Sequence, residues 1–386
     1  MAAVAAVLCS ITASDWLIGA ALVALLIRHF RFGDELRFPP VKLPLGLFFA
    51  ATMLSTFLSG HPFREGIPGI KKFYVCLVLL LVTSTFRRRK DVRTFVVVLA
   101  GVALLSSLWS FGQFAEKMRE ARMAGIDFRV YYTGGARITG FVSHWMTLSG
   151  EQMMVLILLA ALLLLNRWDW RLAACGAVIA VSLVLGYTRS MWAGTLLGIG
   201  YLVWLRDKRW LLIVPVPVLL LLWWNPAGVG QRILSIYRPA GDLDSNRFRA
   251  ICRETGVAMI RAHPWFGLGP EQVRAQFLDF IPASEPRPLP PGAYIHLHNL
   301  YLQYAAERGI PALLVFLWFL GKMLLDFARV REKDWVVYGA IAVTIAVLSA
   351  GWYEHNLGSG PILTLFLGIC ACAYCGKSEV PPRVDS

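Results

Sequence analysis

The chain has 386 residues, is 57% hydrophobic and only 16% charged, and has a mean hydropathy of +0.58. A soluble domain of this size cannot bury so much apolar surface, so the composition excludes a soluble enzyme or binding domain. It predicts an all-α polytopic membrane protein, and the net charge of +14 must then lie mostly in the connections between membrane helices.

Apolar runs follow one another along the whole chain. Several are only about 15 residues long, short of the roughly 20 that a crossing requires. The segment 1–12 is a candidate for a twelfth helix but is too short to span by itself, and Ser14 and Asp15 look like a helix cap after it. We therefore predict 11–12 transmembrane helices, based on apolar runs at 16–27, 45–58, 73–86, 95–114, 146–165, 173–187, 191–205, 211–224, 312–325, 336–353 and 362–374.

Basic residues gather in alternate connections, which the positive-inside rule assigns to the cytoplasm. These connections contain Arg28, Arg31 and Arg37, the run 87–93, Arg167 and Arg171, the run 206–209, and the run 329–333. The other connections are then predicted to face outward: 59–70, 115–143, 188–190, 225–310 and 354–360. The expected organisation is three parts: membrane helices in 1–224, an outer helical segment in 225–310, and membrane helices in 311–386.

The outer segment 225–310 contains a basic helix. Ser245 and Asn246 resemble a cap, and a helical pattern runs from there to Ala262, before His263 and Pro264. Arg249 shares one helix face with Arg253, whereas Arg247 lies on another with Glu254 and Arg261. Like charges at this spacing repel unless an anion lies between them. A pyrophosphate would suit guanidinium groups, and a solvated surface or a contact with lipid headgroups is an equal alternative.

Two further outer arginines are candidates for phosphate binding. Arg189 joins two apolar runs with almost no loop, where a cation is costly unless it is paired. It either extends to lipid headgroups or binds the phosphate of a lipid carrier. Arg137 belongs to a loop of interleaved arginines and aromatic residues, which can hold sugars and phosphates or lie at the headgroup layer.

The stretch from His298 to Pro311 holds the strongest candidate for a catalytic group. His298 and Asn299 open a short amphipathic helix, and Gly309 and Pro311 end it before an apolar run. An imidazole at a membrane boundary can serve as a general base, although an interfacial polar residue is the plainer reading. Glu354 and His355 end another membrane helix on the same side and could orient His298 or join its site.

Cofactor and metal motifs are weak. The chain has no phosphate-binding glycine loop with lysine and no nucleotide-binding fingerprint, so any outer-face transfer must use an activated donor. Asp242 and Asp244 have the spacing of a metal-binding pair, which we interpret as a solvated turn. We expect no cofactor and no metal ion. The basic residues serve as topology signals or phosphate ligands, so no nucleic-acid partner is expected.

Together these motifs resemble the bacterial O-antigen ligase and O-antigen polymerase superfamily, most closely the ligases. The resemblance rests on His298-Asn299 with Gly309 nine residues further on, and on an ordered set upstream that covers roughly 130–330. That set comprises Arg137 to Gly140 with His144, Thr188 to Ser190 with Trp192, and Arg247 through His263 to Gly269.

The resemblance implies a metal-independent glycosyltransferase with a GT-C-like all-helical fold in the bacterial inner membrane, with its site on the periplasmic face. The donor would be an undecaprenyl-pyrophosphate-linked glycan and the acceptor lipid A–core oligosaccharide, among membrane lipids. By the same resemblance, His298 would be the base, and Arg189, Arg247 and Arg249 would bind the donor pyrophosphate. Direct displacement would invert the anomeric centre.

Other functions remain open. A polymerase would use a second lipid-linked glycan as acceptor, and protein O-oligosaccharyltransferases share the signature. A lipid-glycan transporter or flippase is a different class, which predicts charges deep in several helices and often internal repeats. Here the helix centres are nearly free of charge and the charges collect at one face, which favours an enzyme.

Overall fold

The computed structural model describes residues 1–212, 215–225, 228–234, 245–283, 285, 289 and 295–375. Within these ranges the fold is all-α and has no strand. Five helices are long and apolar enough to cross a membrane, and four more are apolar but shorter. The predicted all-α polytopic membrane protein is therefore confirmed, while the number of 11–12 crossings stays a prediction.

The described α-helices of at least five residues are numbered here in chain order. They are α1 (Ile11–Phe32), α2 (Lys42–Leu58), α3 (Phe63–Thr85), α4 (Arg89–Met123), α5 (Phe128–Thr133), α6 (Trp145–Leu165), α7 (Trp170–Leu185), α8 (Arg189–Arg206), α9 (Pro215–Trp224), α10 (Val229–Leu234), α11 (Ser245–Ala262), α12 (Gln272–Gln276), α13 (Leu300–Arg329), α14 (Trp335–Ala350) and α15 (Gly360–Tyr374).

The amino terminus differs from the cap predicted at Ser14 and Asp15. Ser10 is the cap of α1, because its side chain accepts a hydrogen bond from the Ala13 amide at 3.3 Å. Ser14 is buried inside the helix and donates to the Ala3 carbonyl at 2.8 Å. The residues before Ser10 form two short helical turns, so the predicted cap position was wrong and residues 1–12 do not form a separate spanning helix.

Helix α6 is at the centre of the bundle, where it packs against α7, α8, α14 and α15. Its apolar residues point in every direction, as expected of a helix that neighbours cover on all sides. Gln152 adds interhelical hydrogen bonds to Ser107 at 3.0 Å and to Ser182 at 2.7 Å. Such bonds help to hold membrane helices together, since apolar burial alone does not favour protein over lipid.

The segments predicted to face outward meet at one end of the bundle. Gln276 of α12 bonds to His61 at 2.8 Å, and Gln272 bonds to Glu65 at 3.0 Å. At the other end, where the basic connections were predicted, Arg89 forms an ion pair with Asp334 at 2.6 Å. These contacts join outward-predicted connections to one another and basic connections to one another, while the side of the membrane that each end faces stays a prediction.

Helix α13 bends where the short segment 264–269, named here the crossing segment, passes over it. Gly309 has φ 83° and ψ 164°, which interrupts the helix at the residue where the sequence predicted its end. The Leu268 and Gly269 amides donate to the carbonyls of Ala306 and Glu307 at 2.8 and 2.9 Å, and the Ile310 amide donates to the Pro264 carbonyl at 2.8 Å. Backbone groups freed by the bend are therefore satisfied by another segment.

The boundary predicted between 225–310 and 311–386 falls within α13, one residue after this bend. The crossing segment links the outer segment to α13 through backbone hydrogen bonds. The division into 1–224, 225–310 and 311–386 stays a prediction about sequence organisation.

We expect Gly309→Ala to destabilise the protein strongly. A Cβ at Gly309 would overlap the Trp265 carbonyl oxygen, in a left-handed backbone conformation that alanine avoids. The backbone strain and the overlap should each cost about 1–3 kcal/mol. The melting temperature of the purified protein in detergent measures the effect. Gly321→Ala is the matched control on the same helix, because nothing lies within 4 Å of its added Cβ. Equal melting temperatures for the two variants would contradict this account of the bend.

Candidate active site

Glu354 lies at the centre of the site, in the turn that follows α14. Its side chain is buried, with 5% of its surface exposed. Arg249 Nη2 donates to Glu354 Oε1 at 2.8 Å, and His298 Nδ1 lies 3.2 Å from Glu354 Oε2. Burial raises the pKa of this carboxyl, but the hydrogen bond from His298 and the charge of Arg249 outweigh it and lower the pKa to about 2. The buried group is thus a carboxylate with two partners.

His298 is held in an unusual backbone conformation. Its φ is 48°, in the left-handed region that non-glycine residues rarely adopt. Its amide donates to His296 Nδ1 at 3.2 Å, and the Leu297 amide before it donates to Gln303 Oε1 at 2.8 Å. Strain of this kind persists only where surrounding contacts enforce it, and it is common at functional sites.

Asn299 begins the helix that carries these contacts. Its Oδ1 accepts hydrogen bonds from the Tyr301 and Leu302 amides at 2.9 Å, and its Nδ2 donates to the Trp352 carbonyl at 2.9 Å. This cap joins the start of α13 to the turn that contains Glu354. Asn299 therefore helps to hold His298 near Glu354, and it is not among the residues that line the cavity described below.

The Glu354 contact determines which nitrogen of His298 can act as a base. A carboxylate only accepts hydrogen bonds, so Nδ1 must carry the proton, and Nε2 of the neutral ring then has a free lone pair. His298 lines a cavity of about 780 Å³, with His144, Trp145, His296 and Phe248 among the other lining residues. The arrangement can remove a proton from a hydroxyl group bound in this cavity.

Among the candidate arginines, Arg249 contacts Glu354 directly. Burial is the largest cause that lowers the pKa of Arg137, to about 10, and the charges of Glu354, Arg249 and Arg189 also act on this pKa. The Arg137 guanidinium also lies 5.2 Å from the centre of the Trp145 ring. None of the three arginines is among the residues that line the cavity wall.

Arg247 contacts a different carboxylate. Its guanidinium is 3.9 Å from the Glu285 carboxylate, and 43% of its side chain is exposed. Arg249 is two residues further along α11 and points to Glu354 instead. The two arginines therefore have different surroundings, although the sequence offered both as pyrophosphate ligands.

His355 faces the cavity beside His298. Its ring is 6.1 Å from that of His296 and packs edge-on against Tyr304 at 5.4 Å. Burial lowers its pKa well below the usual histidine value, and the neighbouring His296 lowers it further. Burial likewise lowers the pKa of His296 to about 4. Both rings are neutral near pH 7, so His296 can accept the hydrogen bond from the His298 amide.

Sequence reasoning did not assign roles to His296, Gln303 and Glu307, although all three line the cavity. Gln303 Nε2 donates to Glu307 Oε1 at 2.8 Å while its Oε1 holds the Leu297 amide. A signal was present, because positions 299, 303 and 307 follow a four-residue spacing and form one polar stripe on α13.

The structure tests the metal prediction only in part. Among the described residues, no three His, Cys, Asp or Glu side chains are grouped so that they could hold a metal ion. Asp242 and Asp244, the pair with metal-binding spacing, lie outside the described residues. The expectation of a metal-free site therefore stays a prediction.

We expect Glu354 to make stability depend on acid pH. Its folded pKa of about 2 lies below the ordinary value of 4.5, so its stabilisation is fully present above pH 4.5 and is lost as pH falls toward 2. A carboxyl pKa that is two to three units lower in the folded state corresponds to about 3 kcal/mol of folding free energy. The melting temperature of the parent should exceed that of Glu354→Gln at pH 7, and the gap should narrow by pH 3. Glu332→Gln, at an exposed position, is the control. A gap that does not change with pH would contradict the ionised pairing of Glu354.

Comparison with known families gives one match. Residues 174–317 match the family model described as O-antigen ligase, which confirms the resemblance seen in the motifs. The match includes Arg189, Arg247, Arg249 and His298, and it ends before Glu354. No curated protein matches the chain significantly.

Proposed function

We propose that this chain, whose residues 174–317 match the O-antigen ligase family model, transfers a lipid-linked glycan to lipid A–core oligosaccharide. The donor is a glycan on undecaprenyl pyrophosphate. The reaction takes place at the periplasmic face of the bacterial inner membrane, where the connections 59–70, 115–143, 188–190, 225–310 and 354–360 meet. Membrane lipids surround the helices, and no cofactor takes part.

The observation that carries this proposal is the contact between Glu354 and His298 at the cavity wall. Glu354 accepts a hydrogen bond from the Nδ1–H group of His298 at 3.2 Å, which leaves the lone pair of Nε2 available as a base. An acceptor alcohol has a high pKa and needs a base within hydrogen-bond reach. Nε2 takes the hydroxyl proton, and the acceptor oxygen forms a bond to the anomeric carbon of the donor sugar.

The bond from that carbon to the pyrophosphate breaks in the same step, and its electron pair leaves with the pyrophosphate oxygen. Charge that develops on this oxygen needs cations nearby. We assign the donor pyrophosphate to the side of Arg249, which contacts Glu354, with Arg189 and Arg137 as further cations. Arg247, whose guanidinium lies 3.9 Å from the Glu285 carboxylate, stays a further candidate for the same role. Direct displacement inverts the anomeric centre and needs no metal ion.

A polymerase would use the same site with a second lipid-linked glycan as acceptor, and protein O-oligosaccharyltransferases or a lipid-glycan flippase are further alternatives. The surface glycan of a deletion strain distinguishes them. A ligase predicts that core lacks all long glycan while lipid-linked polymer accumulates. Accumulation of single repeat units would indicate a polymerase, and normal core glycan would contradict the proposal.

We expect His298→Ala to fold normally and to lose transfer by about 10²-fold or more, as is typical when an acid–base group is removed. The measurement is transfer by purified enzyme from lipid-linked donor to lipid A–core, in excess chelator. His263→Ala is the control, because His263 is exposed and does not line the cavity. His296→Ala is unsuitable as a control, since His296 holds the His298 amide. Near-parental transfer by well-expressed His298→Ala would rule out this base.

We expect Arg189→Lys and Arg249→Lys to weaken donor binding. Lysine keeps the charge but loses the planar fork that holds phosphate oxygens, so binding of a polyprenyl-pyrophosphate analogue should fall by about tenfold, as for the loss of one charged hydrogen bond. Arg253→Lys is the matched control on α11, because Arg253 is exposed. If both variants bind the analogue as tightly as the parent protein, the pyrophosphate lies elsewhere.

A further inference from the structure

The cavity extends beyond His298 to a second group of polar side chains. Lys72 from α3, Glu271 and Arg274 from the region of α12, and Gln303 and Glu307 from α13 line this part. They come from three separate stretches of the chain. We name these five residues the distal wall.

The distal wall is a built arrangement. Lys72 Nζ lies 2.7 Å from Glu271 Oε1. Glu307 is buried, accepts from Gln303 at 2.8 Å and pairs with Arg308 at 2.7 Å. An ion pair buried in this way is weak evidence for stability, because desolvation offsets the attraction. Its place on a cavity wall is therefore better explained by a ligand.

Arg274 stands out within this wall. It is exposed, and no carboxylate of the described residues lies within ion-pair distance of it. Its guanidinium is thus available to an anionic ligand. The carboxylates of Glu271 and Glu307 accept hydrogen bonds and suit sugar hydroxyls. A saccharide with hydroxyl groups and one anionic substituent matches this set of groups.

Cations stand at two places around the cavity. On what we call the arginine side, Arg249 contacts Glu354, the partner of His298. At the distal wall, Lys72 contacts Glu271 and Arg308 contacts Glu307. Glu354, His298 and both distal carboxylates line the same cavity.

In-line displacement requires the acceptor oxygen and the leaving pyrophosphate to approach the anomeric carbon from opposite directions. With the pyrophosphate on the arginine side, the acceptor must come from the distal side. We propose that the distal wall binds the acceptor saccharide, with Arg274 and Lys72 holding an anionic group and Glu271 and Glu307 accepting sugar hydroxyls. This assignment rests on the proposed function, and it adds the acceptor subsite to it.

Charge reversal at Arg274 tests the subsite. Arg274→Glu should fold normally because the side chain is exposed, and it should raise the KM for lipid A–core by about tenfold or more. The KM for the lipid-linked donor should stay within twofold of the parent. Lys72→Ala should shift the acceptor KM in the same direction. Arg261→Glu is the matched control, an exposed arginine of the outer segment that does not line the cavity.

The same assay with dephosphorylated acceptor tests the anionic contact. The rise in acceptor KM caused by Arg274→Glu should be smaller for the dephosphorylated acceptor than for the phosphorylated one. The assignment would be overturned if Arg274→Glu left the acceptor KM unchanged or raised the donor KM equally. It would also be overturned if the substitution raised the KM of both acceptors by the same factor. Failure of the proposed function has a different signature, because the parent enzyme itself would then transfer no glycan to lipid A–core.

Discussion

A carboxylate removed from water must find partners, and the structure around Glu354 follows from that requirement. An isolated buried charge costs several kcal/mol, so loss of a partner is far more damaging than the pair is stabilising. Arg249 comes from α11 and His298 from the start of α13, and both contact the same carboxyl group. Glu354 thereby joins the outer segment to the turn between α14 and α15. The same contact fixes the tautomer of His298, so the requirement for pairing and the requirement for a base are met by one side chain.

The position of His298 also depends on backbone contacts some distance away. The crossing segment holds the bend at Gly309, and the Ser55 hydroxyl donates to the Glu307 carbonyl at the same point. Glu307 then holds Gln303, and Gln303 holds the Leu297 amide next to His298. This chain of hydrogen bonds runs from the bend in α13 to the strained residue that faces the cavity. A strained catalytic residue needs such support, because neighbouring packing must outweigh the cost of its conformation.

Sequence patterns predicted the parts of this structure that local chemistry determines. Apolar runs gave the helices, and Gly309 with Pro311 gave the bend. The sequence also indicated the helix that ends at Ala262 and the candidate residues His298 and Glu354. Spacing alone separated Arg247 and Arg249 onto different faces of α11, but it could not tell which face meets Glu354, since helix rotation is set by tertiary packing. The role of His296 was equally hidden, because its hydrogen bond exists only when His298 adopts φ 48°. At the amino terminus, Ser10 and Ser14 both precede apolar residues, and only the folded turn before α1 distinguishes them.

The central claim is that Glu354 holds His298 with its proton on Nδ1 and leaves Nε2 free to receive the acceptor proton. Nitrogen-15 NMR of histidine-labelled protein tests this directly, with the His298→Ala spectrum subtracted to assign the ring. The account predicts a protonated, hydrogen-bonded Nδ1 and an unprotonated Nε2 in the neutral ring of the parent, and a loss of this preference in Glu354→Gln. A neutral His298 ring with its proton on Nε2 and a bare Nδ1 would contradict it.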